Sequence, residues 1–243
     1  MIKTVSIVGA GPGDPELLTL KAKKRIGEAE AVVYDRLIPK EILDIIPPAA
    51  EKFFAGKACK EHIMAQAEIN DLLVALAKRG LKVVRLKGGD PLIFGRGGEE
   101  AEHLAQHGIP FEIVPGISSA TGCTAYWHIP LTHRDLASGV RYITGHSKEG
   151  KLDLDWQNLA DPDTTLVVYM GLANVALIAE KLMEHGLPAD FPIAAIQDGT
   201  TKQSKIVIST LAKAGQDIES AKLESPTLII IGRVVALYGL LNP

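Results

Sequence analysis

Two β-branched runs that each break into a glycine turn constrain this chain more than any other feature. Residues 5–8 run into Gly9-Ala10-Gly11-Pro12-Gly13-Asp14, and residues 82–86 run into Lys87-Gly88-Gly89-Asp90-Pro91. A strand that ends in glycines and gives way to helical periodicity is the repeating unit of a parallel α/β sheet, where ligands collect at the carboxyl ends of strands. After the first turn a helical pattern runs from Asp14 to about Glu28. Asp14 is placed to cap it, Pro15 falls in its first turn, and Lys23, Lys24 and Arg25 complement the dipole at its far end.

Three more strands are expected in the first half, at residues 31–34, 51–54 and 111–114, with helices around 62–79 and 98–107. Ile69, Leu72, Leu73, Leu76 and Ala77 give the first of these helices one apolar face, and Gly80 stops it. The second half repeats the class without repeating the sequence: strands at 140–144, 165–169, 193–196, 205–209 and 227–231, and a helix over about 174–185. Residues 115–125, rich in Gly, Ser and Thr, read as a hinge. The expectation is an α/β protein of two lobes, residues 1–117 and 118–243, each with a roughly five-stranded mixed sheet flanked by helices, with the active site in the cleft between them.

At 243 residues the chain can bury a full core, and 47% apolar with 5% aromatic residues suits a compact enzyme rather than a disordered chain. A net charge of −3 argues against a surface built to hold nucleic acid. Cys59 and Cys123 are isolated and lack ligand spacing, so neither a metal site nor a disulfide framework is expected. The start shows no signal-peptide pattern and no run reaches membrane-spanning length, which together predict a cytoplasmic protein without a membrane partner.

The first glycine turn fails as a dinucleotide fingerprint: Asp14 stands where the third glycine belongs, and Pro12 removes an amide that would face a pyrophosphate. With the second turn and Asp90 it offers backbone groups and a carboxylate to a small cationic ligand. Spacing alone leaves the ligand open.

Residues 8–22 (VGAGPGDPELLTLKA), 33–37 (VYDRL), 83–91 (VVRLKGGDP), 94–100 (FGRGGEE), 114–117 (VPGI), 129–135 (IPLTHRD) and 144–146 (TGH) closely resemble the tetrapyrrole (class III) methyltransferases. Weaker blocks follow at 169–171, 197–201 and 226–227. The resemblance implies methyl transfer from S-adenosylmethionine, leaving S-adenosylhomocysteine, to a small-molecule tetrapyrrole. It further implies no metal and a homodimer. The 96–100 and 130–135 blocks point within the family to uroporphyrinogen III, methylated at C2 and C7 to precorrin-2 by way of precorrin-1. The end of the chain suggests a stand-alone enzyme.

By the same resemblance the cofactor would meet Pro12, Gly88, Gly89, Asp90, Ile93, Ser118, Ser119, Met170 and Gly199. Ser118-Ser119 departs from the family's usual Thr-Ala, and Trp127-His128 replaces a small residue and Gly. Asp35 and Lys57 would be the proton acceptor and donor. A substrate with eight carboxylates needs cations, and Arg presents a bidentate fork. Arg96 is the first candidate, for catalysis and binding, because Gly95, Gly97 and Gly98 would let a macrocycle approach. Glu99, Arg134 and His146 are further substrate contacts, with His133 and Lys148 beside them. Against these stand a local pair between Arg96 and Glu99 or Glu100, a capping role for Asp35, a solvated Lys57 and a structural His146. Rival functions are methylation of a later precorrin, a diphthamide precursor or ribosomal RNA on the same fold, a nucleotide-binding oxidoreductase, and a binding module without catalysis.

Overall fold

Among the described residues ten short strands form two sheets of five, and the chain divides into two units, Met1–Ser118 and Ser119–Pro243. The computed structural model describes residues 2–56, 64–146 and 152–242. In the first unit the strands are β1 (Val5–Gly9), β2 (Ala31–Tyr34), β3 (Glu51–Phe54), β4 (Val83–Lys87) and β5 (Phe111–Val114), and the helices are α1 (Leu20–Gly27), α2 (Lys40–Leu43), α3 (Gln66–Lys78) and α4 (Gly97–Gln106). The sheet order is β3-β2-β4-β1-β5, and every pairing is parallel.

Side-chain alternation sorts this sheet into two cores. Val5, Ile7, Ala31, Val33 and Val83 pack under α3 and α4, whereas Val8, Val32, Val84 and Leu86 pack under α1 and α2. The helix expected from Asp14 is divided. Asp14 accepts from the Glu16 amide and caps a single 3-10 turn, Pro15–Leu17, and α1 then starts afresh with Thr19 accepting from the Ala22 amide. A second strong N-cap five residues after the first ends one helical segment and begins the next. In α3 the Glu68 carboxylate accepts from the Ala65 amide, and Gly80, at φ 79°, closes the far end.

The second unit holds α5 (Ser119–Tyr126), β6 (Gly139–Thr144), α6 (Trp156–Leu159), β7 (Thr164–Tyr169), α7 (Val175–Glu184), β8 (Pro192–Gln197), β9 (Lys205–Thr210), α8 (Ala214–Ser220), β10 (Thr227–Ile231) and α9 (Tyr238–Leu241). Its sheet order is β6-β7-β10-β8-β9; β6 and β7 are parallel and the other pairs antiparallel. The mixed character expected of both sheets is thus found in this one. The expected hinge over 115–125 is largely helix, because Ala120, Cys123 and Thr124 recur at helical spacing and are buried.

At the edge of the first sheet Glu112 draws in three partners: Arg25, Lys21 Nζ at 2.9 Å and Ser6 Oγ at 2.8 Å. The hydrogen bond from Arg25 leads in holding the Glu112 carboxyl down from its ordinary 4.5 to about 2. A depressed folded-state value means stabilisation present above the unfolded value and lost as pH falls through the folded one. Urea unfolding of wild type and Glu112→Gln should therefore differ by about 1–2 kcal/mol at pH 7, after allowance for solvent screening. The difference should vanish between pH 4.5 and pH 2.

Candidate functional site

The carboxyl ends of β1, β4 and β5 are tied together by glycine. Gly11 and Gly89 exchange backbone hydrogen bonds at 3.2 and 2.7 Å, and Ala10 N–H donates to the Lys87 carbonyl at 2.7 Å. A Cβ on Gly116 would stand 2.2 Å from the Gly89 oxygen, and one on Gly9 would stand 2.6 Å from both that oxygen and the Gly116 nitrogen. No side chain fits there. Gly11 and Gly89 also hold φ of 76° and 65°, a region favouring glycine. The Asp90 carboxylate joins the same knot, accepting from Gly116 N–H at 3.1 Å and Leu92 N–H at 2.9 Å. The glycines and Asp90 thus serve first to seat three loops against one another.

Next to this knot lies a cavity of about 350 Å³, at the lower end of ligand pockets. Asp35, Gln66, Arg85, Lys87 and Arg96 give it polar walls, Leu37, Ile69 and Phe94 apolar ones, and Gly88 and Gly95 bare backbone. Asp35 arrives directly after β2. Arg85 and Lys87 follow Val83 along β4 on the face covered by α3 and α4, so period-two alternation carries two cations into the core.

A buried ionic network results. The Arg85 side chain is 2% exposed, Lys87 4% and Glu100, from α4, 0%. Glu100 Oε1 accepts from Arg85 Nε at 2.9 Å, Lys87 Nζ at 2.8 Å and Gln66 Nε2 at 3.2 Å. Arg85 Nη2 donates to Asp35 Oδ1 at 2.6 Å, and Lys87 Nζ stands 3.9 Å from Asp35 Oδ2. Among the described residues two cations meet two carboxylates, which is the condition for burying any of them. Burial, followed by the neighbouring Arg85 charge, lowers the Lys87 pKa below its usual range, against the opposing pull of Glu100 and Asp35.

Arg96 differs. Its side chain is 54% exposed and grips Glu99 through Nε at 2.9 Å and Nη2 at 2.6 Å. The local pairing weighed for Arg96 is therefore present, with Glu99 as partner, while Glu100 turns inward. Phe94 and Arg96 flank Gly95 with φ of 49° and 58°. Non-glycine residues in this region hold local strain, which tends to gather at ligand sites. Gly95 and Gly97 are required because a Cβ on either would come within 2.7 and 2.5 Å of the Pro91 carbonyl; only Gly98 faces open space.

The expected site residues fall into two groups. Pro12, Gly88, Gly89, Asp90 and Ile93 gather at the carboxyl edge of the first sheet, and Gly88 shares the cavity with Asp35, Arg96 and the buried network. Lys57 and Lys148 lie outside the described residues. In the second unit Met170 follows β7 at φ 54°, Gly199 follows β8, and His146 follows β6, all on one edge of that sheet because those three strands run parallel to one another. Ser119 joins them, since the Ala120 amide donates to Tyr169 Oη at 3.3 Å. Arg134 does not; it is exposed on the turn leading into β6, whose Leu136 carbonyl accepts from Arg233. Ser118 is buried where the first unit ends. The roles of Arg85, Lys87, Glu100 and Gln66 were missed, and the available signal was two cations at alternate positions of a strand otherwise made of Val and Leu. Among the described residues no group of three or more His, Cys, Asp or Glu is placed to hold a metal ion.

Residues 4–215 match the model of the Tetrapyrrole (Corrin/Porphyrin) Methylases. The siroheme synthase of Azotobacter vinelandii is 53% identical over 233 residues, covering 96% of this chain and 50% of that protein; the siroheme synthase of Nitrosospira multiformis is equally similar. The chain thus spans about half the length of the curated relatives it matches. Among solved structures, uroporphyrin-III C-methyl transferase from Thermus thermophilus, complexed with S-adenyl homocysteine, superposes with TM-score 0.82 at 39% identity over 97% of this chain and 94% of that one. A cobalt precorrin-4 methyltransferase gives TM-score 0.85 at 25% identity, covering 96% and 95%.

Burial separates the two arginines energetically. Arg85→Met strands Asp35 and Glu100 without their main partner and should cost about 3–5 kcal/mol; Arg96→Met breaks an exposed pair and should cost under about 1 kcal/mol. Denaturant midpoints of the two variants check the contrast, and equal midpoints would contradict it.

Proposed function

The chain belongs to the tetrapyrrole (corrin/porphyrin) methylases, and from that premise we propose that it transfers two methyl groups from S-adenosylmethionine to C2 and C7 of uroporphyrinogen III, giving precorrin-2 by way of precorrin-1. The observation that carries this reading is the cavity itself, in which a carboxylate (Asp35) faces a glycine wall and a rim arginine (Arg96). The 39% identity to the Thermus uroporphyrin-III enzyme over nearly all of both chains supports the substrate. The lower identity to the cobalt precorrin-4 enzyme favours uroporphyrinogen over a later precorrin.

When bound, S-adenosylmethionine supplies an electrophilic methyl group on a sulfonium and leaves as S-adenosylhomocysteine. The bare backbone at Gly88, where a Cβ would stand 3.3 Å from Leu37, fits a ligand laid close against the strand end. Pro12, Gly89, Asp90, Ile93, Ser118, Ser119, Met170 and Gly199 are the other proposed contacts.

The electron-rich pyrrole carbon attacks the methyl group, so the residues have to orient and exclude water more than to activate a nucleophile. Asp35, aimed by Arg85, stabilises the positive charge that spreads over the ring and takes up the proton lost afterwards. Lys57 is the proposed proton donor. Arg96 spends part of its fork on Glu99 and keeps further N–H donors for a substrate carboxylate. Glu99 sets its direction, and Arg134 and His146 are proposed substrate contacts of the second unit.

We place the product on the route to sirohaem, cobalamin or haem d1, the first in keeping with the names of the relatives. The enzyme is proposed to act as a cytoplasmic homodimer without nucleic-acid or membrane partners; no described helix is long and apolar enough to cross a membrane.

Anaerobic incubation with enzymatically generated uroporphyrinogen III and labelled donor should give a doubly labelled tetrapyrrole. Label appearing only in a later precorrin would transfer the function to that rival. Arg96→Ala should lower turnover about 10- to 100-fold while donor affinity, measured calorimetrically, stays within about twofold.

A further inference from the structure

The Arg85 guanidinium is gripped at two places. Nη2 donates to Asp35 and Nε to Glu100, so two carboxylates sit on one rigid, planar fork. They differ in access. Asp35 reaches the cavity wall; Glu100 is wholly buried and forms no part of that wall. A carboxylate so enclosed cannot touch a ligand in the cavity, and any influence it has there passes through the groups it holds. Among the described residues its Oε1 holds Arg85, Lys87 and Gln66, and its Oε2 meets no donor.

We propose that Glu100 is a positioning residue for the Asp35 carboxylate, acting through Arg85; the claim rests on the methyl transfer proposed above. Two effects combine. Clamping Nε fixes the plane of the guanidinium, and with it the direction of the Nη2–H that Asp35 accepts. Glu100 also occupies Lys87, whose Nζ is 2.8 Å from Glu100 but 3.9 Å from Asp35. Without the Glu100 charge, Arg85 and Lys87 would share a single carboxylate among the described residues, and Asp35 would be drawn from the first toward the second.

Glu100→Gln keeps the shape and one acceptor oxygen while removing the charge. In the folded variant kcat should fall about tenfold or more, with KM for S-adenosylmethionine and for uroporphyrinogen III within about twofold. A crystal structure of E100Q should show Asp35 displaced from Arg85 toward Lys87. A purely structural role would lower the melting temperature and leave both kcat per folded molecule and the Asp35 position as they are; that result overturns the proposal. If E100Q does not fold, Glu100→Asp retains the charge but draws the carboxylate back by one methylene, and a wild-type kcat there overturns the proposal equally. Wild-type turnover is measured first. If the wild type methylates no tetrapyrrole, the function proposed above falls, and the Asp35 position in E100Q or E100D still decides the positioning claim.

Discussion

The first unit is organised around a charge balance that its central sheet could not otherwise contain. Strand β4 lies in the middle of five parallel strands, where the ordinary occupant is Val, Ile or Leu on both faces. Arg85 and Lys87 occupy two consecutive positions of the face under α3 and α4. Desolvating each costs several kcal/mol, and Coulomb attraction offsets this only where partners are close and well directed. Glu100 and Asp35 meet that requirement from opposite sides, one from the covering helix and one from the adjacent strand end. The register of α4 on the sheet and the exit of the chain from β2 are therefore coupled: shifting either would strand a buried cation.

A steric constraint complements the electrostatic one. Gly9, Gly89 and Gly116 bring the ends of three strands to backbone contact, and Asp90 pins the third loop through Gly116 N–H while bracing its own loop through Leu92 N–H. The network on the other side of Gly88 begins at Lys87, the last residue of the same strand. One strand end thus separates a rigid backbone knot from a charged cavity wall. Such a boundary can present a ligand with bare peptide on one side and a directed carboxylate on the other.

All ten strands were legible to within one residue at either end, because β-branched runs closed by Gly, Asp or Pro are strong local signals and the sheets require little else. Helices were read less well. Asp14 and Thr19 are both good caps, and only packing decides that the first serves a single turn. Residues 115–125 looked like a hinge because Gly, Ser and Thr dominate the composition, yet Ala120, Cys123 and Thr124 share a buried stripe. The site was legible in its glycine loops, in Asp35 and in Arg96, whose motif blocks are distinctive. On the sequence Glu100 enters only as an alternative to Glu99 for a local pair with Arg96, since i,i+3 and i,i+4 spacings both allow one. What redirects Glu100 inward is the pair of cations 13 and 15 residues earlier on β4, a relation between strand and helix that periodicity within a single helix cannot reveal.

The same relation bears on why such a network persists. Buried ion networks are weak stabilisers, and well-packed apolar replacements of similar volume often leave a fold equally or more stable. Val or Leu at positions 85 and 87, with an apolar residue in place of Glu100 as well, would continue the apolar pattern that Val83, Val84 and Leu86 establish, so the fold as such does not call for the charged set. The geometry is also uneven in a way that stability alone would not favour, since Glu100 places three donors on Oε1 and leaves Oε2 without one among the described residues. What the charges do deliver is a carboxylate at the cavity wall whose direction is set from within the core rather than by solvent. A site that holds a carboxylate at a cavity wall from within the core needs cations behind it, and cations in a sheet interior need a second carboxylate behind them in turn.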